Sequence, residues 1–318
     1  MWVALALTAA LCQVLRNTVM KRLGHELDEY MAVWGRFTFL LPFAALFVLW
    51  HGAPEIKPGF VWACLLFAVC QIISTMALSK ALKLSPISMV TALWKVSLLV
   101  LVILGYVTLK ETPSLLGIAG ILISMSGVYL LNVQRAHISW WEPLAVLVTD
   151  RGLRYTLVAA LFFAPSVVTI KRAMQLSDPY MGTLGGYLAS SLLVTPIVLV
   201  TSRKYFAAVP RHWMAFVSFG LFAALTSVSQ GHAYLLTLSS YVEAVKQVEI
   251  LFALGIGVLI FHEKQEVREI APGAVVMLAG VVLLSLAASS ASSGQRPVGS
   301  VPSTSPAAPG RPVADQRR

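Results

Sequence analysis

Two stretches of this chain spell the same helix. Met89–Glu111 reads MVTALWKVSLLVLVILGYVTLKE, and Tyr241–Glu263 reads YVEAVKQVEILFALGIGVLIFHE. At an offset of 152 residues, Ala81/Ala233, Leu84/Leu236, Ser88/Ser240, Val90/Val242, Ala92/Ala244, Val96/Val248, Leu99/Leu251, Gly105/Gly257 and Glu111/Glu263 coincide. A second set recurs at an offset of 150: Lys21-Arg22, Tyr30-Met31 and Gly35 return as Lys171-Arg172, Tyr180-Met181 and Gly185. The chain is therefore one unit written twice. Units of this length are too long for the short repeats of a solenoid.

Each copy is built for a membrane. Of 318 residues, 58% are hydrophobic and only 12% charged, where a soluble domain carries about 25% charge. Mean hydropathy is +0.78. Apolar runs long enough to span a bilayer as helices fall at 1–20, 31–50, 59–80, 86–108, 113–132, 155–174, 179–201, 212–235, 240–261 and 267–288. The fold class is thus an all-α membrane protein of ten transmembrane helices, five per copy. Five is odd, so the second copy must enter the bilayer from the opposite side. Such an inverted repeat is a plan of secondary transporters, with the substrate site between the halves near midplane.

The expected organisation is a first repeat over 1–132, an interfacial linker over 133–154 and a second repeat over 155–288. The linker holds Trp140 and Trp141, which suit the headgroup layer. The tail 289–318 is rich in Ser, Pro and Arg, cannot bury a core and is expected to be disordered.

Several function classes drop out. The net charge of +10 is spread over loop ends and the tail, as in a membrane protein with basic loops, so no nucleic-acid partner is expected. Cys12, Cys64 and Cys70 lie in apolar runs without disulfide or zinc spacing. The first apolar run lacks a basic start and a cleavage site and is interrupted by Arg16, so it reads as a spanning helix. There is no Walker motif, His262-Glu263 fails as HExxH because position 266 is Glu266, and no G-x-S-x-G occurs. No enzyme activity, cofactor or metal is expected.

Charges inside the spans are costly, about 2.5–3.5 kcal/mol each at a helix centre. They normally face a cavity or a partner. The bases are Arg16, Arg36, Lys95 and Lys246, and the acids are Glu243 and Glu249. Arg36 reads either as an anion ligand in a cavity or as an anchor on neighbouring carbonyls. Arg16, near its helix end, is expected to snorkel to the interface. Lys95 lies too deep for that. Glu243, Lys246 and Glu249 are spaced by three, so Lys246 can reach either acid but cannot neutralise both. The pair reads as a tolerated ion pair or, through the leftover carboxylate, as a proton carrier; Glu243 and Glu249 are the proton-coupling candidates. Trp34 and Tyr241 are candidates for stacking on substrate. Gln71 and Gln230 need partners away from lipid and are placed toward the cavity. Glu111 and Glu263 read as helix terminators, with Thr112 as an N-cap before Pro113. Gly182 and Gly186 form a small-residue pair for close packing, and the chain is expected as a monomer or homodimer.

The two copies resemble paired EamA domains of the drug/metabolite transporter superfamily. The resemblance covers about 1–288. It rests on the five-helix halves, on Gly105…Leu109-Lys110-Glu111 and Gly257…Phe261-His262-Glu263, and on late glycines in Ser126-Gly127-Val128 and Ala279-Gly280-Val281. Arg36 after Trp34-Gly35 stands where members often carry an Arg. Many members have a Pro after a Glu in the ninth helix, whereas Ile250 follows Glu249 here. The resemblance implies small-molecule transport and favours export.

The expected function is secondary transport of a small polar metabolite. A site with four bases and two acids favours a carboxylate-bearing or zwitterionic substrate, amino-acid-like or opine-like. Partners are this substrate and the lipid bilayer. The short-looped, Ala/Leu/Val-rich chain suggests a bacterial cytoplasmic (inner) membrane. A receptor or scaffold without transport is the alternative; an intramembrane enzyme is less favoured.

Overall fold

The computed structural model describes residues 1–23, 27–85, 87–136, 150–253, 255 and 264–294. Secondary structure among them is entirely helical. The first half runs α1 (Trp2–Leu23), α2 (Glu29–Thr38), α3 (Leu41–His51), α4 (Phe60–Leu84), α5 (Ile87–Trp94), α6 (Val96–Leu109) and α7 (Leu115–Ala136). The second runs α8 (Arg151–Gln175), α9 (Pro179–Thr201), a 3₁₀ turn (Arg203–Ala208), α10 (Trp213–Leu236), α11 (Ser239–Lys246) and α12 (Lys264–Gly294). Residues 249–253 are again helical. Eight helical stretches among the described residues are long and apolar enough to cross a membrane, and Leu115–Leu131 is a shorter apolar helix. The remaining expected span, 240–261, lies partly outside the described residues.

Helix starts follow local chemistry. Asp28, Asp150 and Asp178 each accept the backbone N–H three residues on, from Met31 (2.8 Å), Leu153 (2.8 Å) and Met181 (2.6 Å). Each thereby satisfies a donor with no intrahelical acceptor. Asp28 and Asp178 occupy equivalent places in the two copies. At α7 the cap is Ser114, whose hydroxyl accepts from Gly117 N at 3.1 Å. Thr112, the expected cap, precedes it in the loop. The expected linker narrows, because α7 runs to Ala136 and α8 begins at Arg151; Trp140 and Trp141 lie outside the described residues. α12 continues to Gly294, past the expected start of the tail at Ser289, and 295–318 lie outside the described residues.

The packing repeats under exchange of halves. α4 lies along α8, and α1 lies along α10; each places the third span of one copy on the first of the other. Equivalent helices of the two copies pack on each other in antiparallel fashion, as an inverted repeat requires. On α2 and α9, Trp34 Nε1 donates to Thr195 Oγ1 (3.0 Å), and Thr38 and Ser191 share a hydrogen bond (2.7 Å), so the pairing descends one helix as it climbs the other.

α7 and α12 behave likewise. A Cβ on Gly127 would lie 2.3 Å from Met277 N, and one on Gly280 would lie 2.4 Å from Ser124 N. With Gly120 and Gly273, these glycines let two backbones touch, a packing typical of membrane helices. Gly182 and Gly186 also serve internal packing, against Met174 and against Ile170 with Phe67.

Three spans are broken. The second breaks at Phe39-Leu40, ahead of Pro42, and the fourth at Lys95. The ninth breaks at Gln247-Val248, the repeat-equivalent of Lys95-Val96. There Gln247 N and Val248 N bond three residues back, to Ala244 O (3.3 Å) and Val245 O (3.1 Å). Such tightening changes the direction of a helix without proline, which accounts for the break although Ile250 stands where a proline was looked for.

Candidate functional site

The breaks bring the intramembrane charges together. Just before its break, α11 carries Glu243 and Lys246, with Lys246 Nζ 3.2 Å from Glu243 Oε1. α10 supplies the remaining partners one turn apart. Gln230 Nε2 donates to Glu243 Oε1 (2.6 Å), Lys246 Nζ donates to Gln230 Oε1 (2.9 Å), and Tyr234 Oη donates to Glu243 Oε1. Glu243 is thus held by three donors. It is buried with Lys246 and Tyr234, and this cluster is closed on itself.

Beyond the break the pattern changes. Glu249 receives a hydrogen bond from Gln13 Nε2 of α1. Arg16 lies three residues on, on the same face of α1. Arg16 is only 7% exposed, so it does not snorkel outward. Its Nε and Nη2 donate to Asn17 Oδ1 at 3.3 and 3.0 Å. Glu249, Arg36 and Tyr187 all lie within its electrostatic reach.

Lys95, 9% exposed at the break of the fourth span, lies within electrostatic reach of Glu249, Glu243 and Lys246. Arg36 on α2 has a buried Nε without a hydrogen-bond partner among the described residues. Tyr187 on α9 is buried beside it, packed on Phe37 and Phe67. Ser227 Oγ donates to the Tyr187 hydroxyl at 3.2 Å. Arg16 and Lys95 therefore both lie within reach of Glu249, and Arg36 lies within reach of Arg16. None of these three cations forms an ion pair within 4 Å among the described residues.

The structure brings Arg36, Lys95, Lys246, Gln230, Glu243 and Glu249 into this region. The other candidates sit elsewhere. Trp34 is tied to Thr195 and packs edge-on against Phe39 and Phe206. Gln71 accepts from Ser166 Oγ of α8 at 2.9 Å, joining two helices. Tyr241 is buried against Gly117, with its hydroxyl accepting from Ser114 N at 3.3 Å. Gln13, Tyr187 and Tyr234 are absent from the sequence candidates, and Arg16 is counted there among the bases but expected at the interface. The spacing Gln13/Arg16 and Gln230/Tyr234 along one helix face is the signal for Gln13 and Tyr234, and Tyr187 has none.

A second buried ion pair lies at one end of the bundle. Lys171 Nζ is 2.6 Å from Glu111 Oε1 and donates to Thr237 O at 2.7 Å. Glu111 also accepts from Ser239 N (3.1 and 3.2 Å) and Ser239 Oγ (2.8 Å). It therefore acts on the N-terminus of α11, in the other half, rather than on the helix that follows it. Gly105 makes this possible: a Cβ there would lie 2.9 Å from Glu111 Oε2. Lys110 in the left-handed region (φ 55°) turns the chain back, and Glu111 N bonds to Gly105 O at 3.0 Å. Glu263 lies outside the described residues. No group of three or more His, Cys, Asp or Glu able to hold a metal occurs among the described residues.

The sequence pattern of the EamA-like transporter family matches residues 1–133 and again 150–286. The chain belongs to the EamA-like transporter family. A crystal structure titled only "Crystal structure of protein" is similar to the EamA chain in fold. Its TM-score is 0.69 at 16% identity, over 91% of this chain and 98% of that one. No curated protein sequence matches. Family membership and the spans make this a multi-pass membrane protein of a transporter family.

Proposed function

We propose that this chain is a secondary active exporter of a small carboxylate-bearing or zwitterionic metabolite in a bacterial inner membrane. It works by alternating access, with ten spans in two inverted five-helix repeats (1–132 and 155–288) and the segment between them at the interface. The observation that carries the reading is an excess of cations: buried Arg16 and Lys95, and half-buried Arg36 with its buried Nε, in the region of half-buried Glu249. Unpaired charges away from water are expensive and mark substrate or ion pathways in membrane proteins. An anionic group entering this region would complete the set. Glu249, held by a neutral glutamine rather than an ion pair, is the carboxylate free to take up and release a proton; Glu243 is committed to Lys246, Gln230 and Tyr234.

The test compares small molecules in medium and cytoplasm for a deletion strain, the restored wild type, and a restored Arg36→Gln variant at equal membrane abundance. The expected result is one carboxylate-bearing compound that accumulates inside the deletion strain. It returns to the medium with wild type and not with the variant. Identical profiles in all three strains would overturn the reading.

A further inference from the structure

Arg16 and Arg36 sit on α1 and α2, both of which pack on α10. Two guanidiniums within electrostatic reach of each other repel unless an anion lies between them. The protein supplies little to offset this. Arg16 bonds to a neutral asparagine side chain, and the buried Arg36 Nε bonds to nothing described. Glu249 lies in reach of Arg16 but is shared with Lys95 and bonded by Gln13. Tyr187 stands within reach of both guanidiniums. Because Ser227 donates to its oxygen, the tyrosine proton is left to donate elsewhere.

Resting on the transport reading above, we infer that Arg16, Arg36 and the Tyr187 hydroxyl form the subsite that takes the substrate's carboxylate. A planar guanidinium matches a carboxylate with two parallel hydrogen bonds, which an ammonium cannot do. The Arg36 fork, the Arg16 nitrogen not engaged by Asn17 and a hydroxyl can fill the lone-pair sites of one carboxylate, so binding is held to that group rather than to the rest of the molecule. The Glu243–Lys246–Gln230–Tyr234 cluster, already closed, is not the carboxylate's place. Arg16 thereby becomes a substrate-binding residue, and Trp34, Gln71 and Tyr241 become packing residues.

The experiment uses the purified full chain in proteoliposomes. They are loaded with a defined pool: the proteinogenic amino acids, short mono- and dicarboxylates, the primary amides of all of these, and putrescine. Efflux of every component is followed. The expected result is that wild type releases one or more carboxylates, that their amides stay inside, and that Arg16→Gln and Arg36→Gln each slow release by about tenfold or more. Arg36→Lys, which keeps the charge but not the fork, should fall between. Tyr187→Phe should raise KM with little change in kcat. Release of amides or putrescine at the rate of the acids, or wild-type kinetics in Arg16→Gln, would overturn the subsite.

If nothing leaves, the transport reading fails. The subsite is then judged by thermal unfolding of the same protein with the same pool members. Stabilisation by a carboxylate in wild type but not in Arg36→Gln sustains it, and its absence overturns it.

Discussion

Two groups of buried charge in this molecule obey opposite rules. Around Glu111 every polar atom is answered: Lys171, the N–H and hydroxyl of Ser239, and a backbone carbonyl for the lysine. Around Glu249 the account does not close, with three cations, one carboxylate and a neutral glutamine as its partner. The first group is buried, the second partly so, and both involve both halves of the chain. The difference teaches how to read an intramembrane charge. A satisfied pair is a joint, and its function is shape. An unsatisfied set is where the proposed substrate's charge would bind.

Mutations can sharpen this contrast. The largest effect is expected at the joint. Lys171→Ala or Glu111→Ala leaves its partner buried and alone, a loss of about 3–5 kcal/mol, read as a fall in the unfolding midpoint. The double variant should lose clearly less than the sum. Simple additivity would show that the pair is not coupled.

Next is Glu249→Gln. Removing an acid within reach of both Arg16 and Lys95 should tighten binding of a transported carboxylate about tenfold, or roughly 1.4 kcal/mol. Titration of the purified variant measures this, and weaker binding would place Glu249 among the substrate's attractive contacts instead.

Asp150→Ala should cost about 1 kcal/mol, as a lost helix cap. The Ser85 hydroxyl and the Leu153 N–H hold the Asp150 carboxyl below its ordinary range. Its stabilisation is therefore complete above the usual carboxylate pKa and is lost as pH falls through the depressed value. The variant should lose that acid dependence, which unfolding at a series of pH values would reveal.

Smallest, and most telling, is Lys95→Met. A cation with no ion-pair partner adds desolvation cost and little attraction, so stability should be unchanged or slightly raised. A fall like that of Lys171→Ala would erase the distinction between the two groups.

Much of the fold was legible because a repeat is a statement about geometry. The offset between Met89–Glu111 and Tyr241–Glu263, with apolar runs of spanning length, suffices for two related helical halves. What escaped was partnership. Nothing local says that Glu111 acts across the halves on Ser239, since the donors lie far along the chain. Arg16 looked like an end-of-helix residue because sequence distance to Lys21 was the only ruler. Burial depends on which helices pack around it, and sequence spacing does not say which. Trp34, Gln71 and Tyr241 were chosen as residue types that suit a cavity, yet each found a neighbouring helix to bond or pack against first. That Glu243, Lys246 and Gln230 bond to one another is legible, because helix spacing and an unmet polar demand agree there.

The glycine seam between α7 and α12 has a consequence for how far the two copies can drift apart. Gly120 and Gly127 face Gly280 and Gly273, and both sides are already at the smallest side chain that exists. Elsewhere, growth of one residue can be absorbed by shrinkage of its neighbour. Here no compensating change is left to make. Along this line the two copies must go on resembling each other, however freely the rest of each half explores new substrates.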